Sequence, residues 1–121
     1  MTARFTRRAR LLKPAEFKLA FERGSRIHER GLTAVVVANT LGHPRLGLAV
    51  SKKALPLAVD RNRFKRQIRE SFRQQQPLLP PRDVVVLVKP GSRINSLAQL
   101  RQSLERLWTR IAASSAVAPS S

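Results

Sequence analysis

The sequence predicts one compact domain that combines helices with strands. Its 121 residues suffice for a single hydrophobic core, and 42% of them are hydrophobic, as in ordinary globular proteins. Runs rich in β-branched residues at 32–39 and 84–88 predict strands. Apolar residues spaced three and four apart around Phe17 and Phe64 predict amphipathic helices that alternate with these strands. Residues 1–121 are therefore expected to form one domain.

The first predicted helix lies between Pro14 and Gly24. Proline suits the first turn of a helix, and glycine suits the position where a helix stops. Between them Phe17, Ala20 and Phe21 recur at helical spacing and form one apolar stripe.

Three strands are predicted next, at 25–30, 32–39 and 46–51. Gly31 supplies a turn or bulge between the first two, and 41–44 forms a loop before the third. Because the three strands follow one another at short spacing, they favour an antiparallel meander.

The second half of the chain predicts a helix, a strand and a helix. A basic helix covers about 60–76 and ends before Pro77. The continuous apolar run at 84–88 indicates a central strand. The last helix, about 96–113, has one apolar face, formed by Leu97, Leu100, Leu104, Leu107, Trp108 and Ile111.

The two ends of the chain are predicted to be less ordered than this core. Small and polar residues at 114–121 predict a disordered tail. Residues 1–13 are expected to form a basic and partly flexible arm, an auxiliary site whose cations are Arg4, Arg7, Arg8 and Arg10.

Positive charge dominates the composition. The chain has 24 Lys and Arg against 7 Asp and Glu, so its formal net charge is +17. Such an excess indicates a polyanionic partner, with nucleic acid ahead of an anionic membrane surface. Arginine outnumbers lysine, which favours bidentate contacts to phosphate and stacking on bases.

Several classes of protein are excluded or disfavoured. The chain has no Cys, and therefore no disulfide, thiolate metal site or cysteine nucleophile. No apolar run approaches the roughly 18 residues that a membrane span requires, and the basic N-terminus lacks the apolar segment of a secretory signal. A cytoplasmic protein with no membrane partner is therefore expected.

The basic helix separates its apolar and charged residues on two faces. Phe64, Ile68 and Phe72 share one side at four-residue spacing. Arg63 and Lys65 lie on the flanks, and Glu70 is the one acid among these cations. The opposite side carries Asn62, Arg66, Arg69 and Arg73. An ordinary solvated face would explain any one of these arginines, but the whole set favours binding to phosphates.

Arg61 lies beside the apolar arc, and its place is left open. Either the helix begins just after Arg61, or the side chain reaches along the helix end towards the sheet. Asp60 could cap this end of the helix and orient Arg61 or Arg63.

No catalytic arrangement is evident in the sequence. Hydrolysis of phosphodiesters with metal ions needs clustered carboxylates, and a metal-free nuclease needs a paired general acid and base. His28 and His43 are the only histidines and fall near predicted strand ends or loops. The seven acids are scattered: Glu16, Glu22, Glu29, Asp60, Glu70, Asp83 and Glu105. A binding protein is expected, without catalytic residues, a metal site or a cofactor of its own.

Residues 45–73, RLGLAVSKKALPLAVDRNRFKRQIRESFR, resemble the signature region of the bacterial ribonuclease P protein family. The matching motif is Lys52-Lys53 after a strand and Arg61-Asn62-Arg63 in a basic helix, continued by Lys65-Arg66 and Arg69-Glu70. The resemblance covers about 4–111, with DVVVLVKP after the basic helix and Trp108 in the last one. The segment ALPL at 54–57 departs from the glycine or basic residues of many members.

The resemblance implies an α+β fold in the order α-β-β-β-α-β-α, with a four-stranded mixed sheet. It also implies a left-handed crossover through the basic helix, where the common connection is right-handed. The implied function is to pair with a catalytic RNA and assist the endonucleolytic removal of the 5′ leader from precursor tRNA. In such an enzyme the RNA, with Mg²⁺, carries the chemistry, and no obligate protein partner is expected.

The resemblance also implies two groups of binding residues. In the cleft that receives the leader, Phe17 and Phe21 match the aromatic wall, and Lys52 and Lys53 stand beside it. Both phenylalanines could instead belong to the core. The residues matched to contacts with the catalytic RNA are Arg61, Asn62, Arg63, Lys65, Arg66, Arg69 and Arg73.

Other functions remain possible from the residues alone. A ribosomal or other structural RNA-binding protein would explain the charge equally well, but it would not need to distinguish precursor from mature tRNA. A stand-alone nuclease would have to act without RNA. A DNA-binding regulator is disfavoured because no helix-turn-helix pair is evident.

Overall fold

A four-stranded mixed sheet organises the fold, which a computed structural model describes for residues 13–89 and 96–117. The elements follow the predicted order α-β-β-β-α-β-α, with one 3₁₀ helix at Gln76–Leu78. They are α1 (Pro14–Arg23), β1 (Ser25–Glu29), β2 (Leu32–Ala38), β3 (Arg45–Ala49), α2 (Ala58–Gln75), β4 (Arg82–Val88) and α3 (Leu97–Val117). The predicted α+β fold is confirmed.

The strands lie in the order β1-β2-β4-β3, so the predicted antiparallel meander is wrong. β1 and β2 form an antiparallel hairpin around Gly31, whose φ of 72° suits glycine. β3 does not pair with β2; it lies parallel to β4, which is itself antiparallel to β2. The apolar strand β4 takes the central place because its residues can be buried on both faces.

Helices cover the two faces of this sheet unequally. Alternate residues of β2 and β4, such as Ala34 and Val86, join the large core beneath α2 and α3. On the opposite face Val35 and Val85 form a small cluster with Ala20 of α1. Among the described elements, α2 and α3 therefore pack on one face of the sheet, and the short helix α1 covers the other face in part.

The connection from β3 through α2 to β4 joins two adjacent parallel strands. Its left-handed sense remains a prediction. Among the residues that the structure describes, no helix combines the length and apolarity needed to cross a bilayer.

Several element ends differ from the predicted ones. α2 begins at Ala58, two residues earlier than predicted, and the chain continues through Pro77 in the 3₁₀ helix. α3 extends to Val117 and so includes the first four residues of the predicted disordered tail. The rest of that tail and the arm cations Arg4, Arg7, Arg8 and Arg10 lie outside the described residues.

The residue that follows α1 is Gly24, and here the backbone approaches the sheet too closely for a side chain. Its φ of −76° is open to any residue, but an added Cβ would lie 2.5 Å from the Ala20 carbonyl oxygen and 2.6 Å from Val35 Cγ1. We expect Gly24→Ala to lower the free energy of unfolding by about 2 kcal/mol, measured by urea denaturation.

Gly42→Ala is the control for this substitution. Gly42 has φ +81° but no atom within 4 Å of an added Cβ, so its substitution tests backbone strain without a clash. We expect a cost of about 1 kcal/mol there. A Gly24→Ala protein as stable as the wild type would contradict the close approach.

Candidate nucleic-acid interface

The exposed side of α2 forms a cationic ridge, which we define as Asn62, Arg63, Arg66 and Arg69. All four are exposed, whereas Phe64, Ile68 and Phe72 on the other side of the helix are buried. At a rise of about 1.5 Å per residue, the ridge extends about 10 Å along the helix. The predicted separation of the two faces is therefore confirmed.

Packing between α2 and α3 holds the ridge in place. Trp108 Nε1 donates a hydrogen bond of 2.7 Å to Ser71 Oγ, and the Trp108 ring meets the Phe72 ring edge to face at 5.9 Å. These contacts fix the rotation of α2 about its axis, because both partners lie on its buried side. The charged side is consequently directed away from the core.

The three arginines of the ridge have no partner within the described part of the chain. Arg63, Arg66 and Arg69 make no hydrogen bond or ion pair with any residue in 13–89 or 96–117. Their charges are not neutralised within the described structure, and each can donate to a phosphate through its planar fork. The ridge is the strongest candidate surface for a polyanion.

Arg61, unlike the arginines of the ridge, has hydrogen-bond partners among the described residues. The helix begins before Arg61, and its Nη1 donates to the carbonyl oxygens of Leu55 and Pro56 at 2.8 and 2.9 Å. The side chain thus reaches back to the preceding loop. The predicted cap at Asp60 is wrong: Leu57 occupies the N-cap without a side-chain hydrogen bond, because α2 starts two residues early.

Arg73 and Lys65, two further residues of the predicted RNA set, are less available than the ridge. Both are half-buried. Arg73 donates two hydrogen bonds to Glu70, and this contact lowers the pKa of Glu70 and raises that of Arg73. The single acid within the basic stretch therefore neutralises one end of it.

The partly covered face of the sheet contains an open groove of about 520 Å³. Ala49, Leu87 and Thr33 are among the residues that line it, and Arg26 and Lys89 add positive charge. His28 also lines the groove and its Nδ1 lies 3.1 Å from Thr33 Oγ1. The groove thus combines apolar surface with cations and contains no acid, which suits single-stranded nucleic acid.

None of the predicted cleft residues is among those that line this groove. Phe17 is half-buried and packs against the small cluster below α1, whereas Phe21 is 37% exposed. Lys52 and Lys53 are exposed in the turn that follows Ser51, and Ser51 itself lines the groove. The core alternative therefore fits Phe17 better than Phe21.

Sequence reasoning missed the strand residues of the groove. Arg26 and His28 lie on either side of Ile27 in β1. Because successive side chains of a strand point to opposite faces of the sheet, Arg26 and His28 share one face. That signal was available in the sequence. Lys89 follows β4 directly, and only the pairing of the strands brings it near β1 residues.

Sequence reasoning also missed an ionic network beside α1. Arg45 donates from Nε and Nη2 to the two carboxylate oxygens of Asp83 at 2.9 and 2.8 Å, and from Nη1 to Glu16 at 2.6 Å. Asn39 Nδ2 donates to Asp83 at 2.8 Å. The pKa of Arg45 is raised, first by its hydrogen bonds to Asp83, against the opposing effect of burial.

No arrangement for protein-based catalysis is found among residues 13–89 and 96–117. In these ranges no three His, Cys, Asp or Glu residues cluster as a metal site would require. His28 bonds to Thr33, and His43 contacts the Leu41 carbonyl oxygen, so each has a structural partner. Four acids are bound to arginines: Glu16, Glu29, Glu70 and Asp83.

Comparison with known proteins assigns the family. A family model described as Ribonuclease P matches residues 5–112. The chain belongs to the ribonuclease P protein family. It is 47% identical over 104 residues to the ribonuclease P protein component of Nitrosococcus oceani, covering 86% of this chain and 87% of the relative. The component of Cronobacter sakazakii is 45% identical over 106 residues, covering 88% and 89%.

Solved structures of the family share the fold. The ribonuclease P protein of Staphylococcus aureus matches with a TM-score of 0.78 and 31% identity, covering 86% of this chain and 94% of its own. That of Thermotoga maritima matches with a TM-score of 0.74 and 28% identity, covering 84% and 96%.

Membership of the ribonuclease P protein family gives the ridge and groove a context. The chain is a protein component of ribonuclease P, the endoribonuclease of tRNA 5′ processing, and it works with an RNA subunit. This assignment decides for the ribonuclease P function over a ribosomal or other structural RNA-binding role.

Proposed function

We propose that the cationic ridge binds the catalytic RNA of ribonuclease P, while the groove binds the 5′ leader of precursor tRNA. The guanidinium groups of Arg63, Arg66 and Arg69, which have no partner among the described residues, carry the first half of this proposal. Each phosphate that they neutralise releases condensed counterions, so the set strengthens binding far more than one cation does. Arg61 and Arg73 contribute at the two ends of the ridge, and Lys65 contributes at its flank.

The groove supports the second half of the proposal. A single strand of RNA exposes both bases and phosphates, and the groove offers apolar surface beside Arg26 and Lys89. Phe21 is exposed on α1, and Lys52 and Lys53 are exposed in the turn beyond the groove. These residues extend the contact with the leader, and the protein thereby favours precursor over mature tRNA.

The chemistry in this proposal belongs to the RNA with Mg²⁺. The protein supplies binding and charge neutralisation, needs no cofactor or obligate protein partner of its own, and acts in the cytoplasm. Cleavage of precursor tRNA should be measured with protein alone, RNA alone and the mixture. We expect cleavage with RNA, faster cleavage with the mixture and none with protein alone. Cleavage by the purified protein would overturn the division of labour.

Phe21→Ala tests the leader site directly. We expect the affinity of the holoenzyme for precursor tRNA to fall about tenfold, because stacking on one aromatic ring is lost. Affinity for mature tRNA should not change. The matched control is Leu19→Ala, which truncates another exposed apolar residue of α1. Equal losses for precursor and mature tRNA would contradict a contact between Phe21 and the leader.

A further inference from the structure

We propose that Glu16 and Arg45 are positioning residues, which hold α1 over the sheet and so set how well the groove retains the leader. Their role depends on the leader binding proposed above. Neither residue belongs to the cationic ridge or lines the groove. Both act through the placement of α1.

Asp83 orients the guanidinium group of Arg45 toward α1. Asp83 binds it through two parallel hydrogen bonds, and Asn39 holds Asp83 in turn. This leaves Nη1 of Arg45 directed at Glu16, with the side chains of the pair only 16% and 24% exposed. A bidentate contact fixes the plane of a guanidinium group, so the third contact has a defined direction.

Glu16 connects this fixed cation to the first turn of α1. One carboxylate oxygen, Oε2, accepts from Arg45, and the other, Oε1, accepts from the Lys13 backbone N–H at 3.0 Å. The same side chain therefore caps the helix and joins it to β3. Phe17, the next residue, packs on the sheet.

Within the part of the chain that the structure describes, Phe17 is the one apolar side chain in the first half of α1 that packs on the sheet. Ala20 is its one fully buried residue, and the close approach of Gly24 fixes the C-terminal end. With so few contacts in its first turns, this ten-residue helix can shift on the sheet. The ion pair of Glu16 with Arg45 opposes this movement. It thereby keeps Phe17 packed on the small cluster that Ala49 and Leu87, two lining residues of the groove, also contact.

Glu16→Gln is the variant that tests this role. Glutamine keeps an acceptor for the Lys13 N–H but removes the charge that binds Arg45, and it leaves the contact between Arg45 and Asp83 in place. We expect KM for precursor tRNA to rise about threefold with kcat unchanged. Affinities for mature tRNA and for the catalytic RNA should stay at wild-type values.

Glu22→Gln is the matched control. Glu22 is exposed on the same helix, and its substitution changes the net charge by the same amount. Electrostatics alone predict that either variant binds RNA more tightly, because each removes a negative charge. A loss of precursor affinity in Glu16→Gln, absent in Glu22→Gln, supports positioning. Equal behaviour of the two variants overturns it.

Three further outcomes can be distinguished. If Glu16→Gln weakens precursor, mature tRNA and catalytic RNA alike, the ion pair only stabilises the fold and the positioning role is overturned. If Phe21→Ala keeps its selective effect while Glu16→Gln has none, positioning fails and leader binding stands. If neither variant affects discrimination between precursor and mature tRNA, the proposed leader site itself fails.

Discussion

Reversing both Arg66 and Arg69 to Glu is expected to weaken binding of the catalytic RNA by at least about 100-fold at physiological salt. Both side chains are exposed and unpartnered among the described residues, so the loss arises in the complex and not in the folded protein. Two phosphate contacts disappear and two negative charges face the RNA. The slope of log K against log salt should decrease in magnitude by about two.

The measurement is a salt titration of RNA binding, with urea denaturation to check that the free energy of unfolding is unchanged. Arg101→Glu with Arg106→Glu is the matched control, since both residues are exposed on α3 and the change in net charge is the same. If the control loses as much affinity as the ridge variant, then overall charge, rather than the ridge, determines binding.

Local patterns in the sequence predicted the ridge well. The side of α2 that faces the core follows from Phe64, Ile68 and Phe72, which recur every four residues and are all buried. Because a helix places side chains by sequence spacing alone, the exposed arginines could be assigned to one face before the fold was known. The central position of β4 was equally predictable from its uninterrupted apolar run.

Features that depend on contacts between residues far apart in the sequence were not predictable in this way. Nothing in β3 distinguishes pairing with β2 from pairing with β4, because both neighbours offer apolar strands. The groove draws its lining from all four strands, so it requires the strand order as well as the alternation within each strand. The partners of Arg45 lie 29 and 38 residues away and show no motif.

Arg45→Ala is expected to lower the free energy of unfolding by about 3 kcal/mol, the largest effect on stability that we anticipate. Asp83 is 6% exposed, and removal of Arg45 would leave its carboxylate buried with Asn39 as its remaining side-chain partner. Breaking a buried pair from one side costs more than the pair contributes, because the remaining charge is no longer compensated. Urea denaturation of the single and double variants with Asp83→Ala should show strong non-additivity.

The pH dependence of this loss follows from the raised pKa of Arg45. A basic group with a raised pKa in the folded state contributes stability that is fully present below its unfolded pKa and is lost only above it. The pKa of an unfolded arginine already lies far above this range, so the difference between wild type and Arg45→Ala should be constant from about pH 6 to 9. A difference that shrinks as the pH rises through this range would show that a titrating neighbour, and not the guanidinium group, is responsible. Additive effects of Arg45→Ala and Asp83→Ala would contradict the ionic network itself.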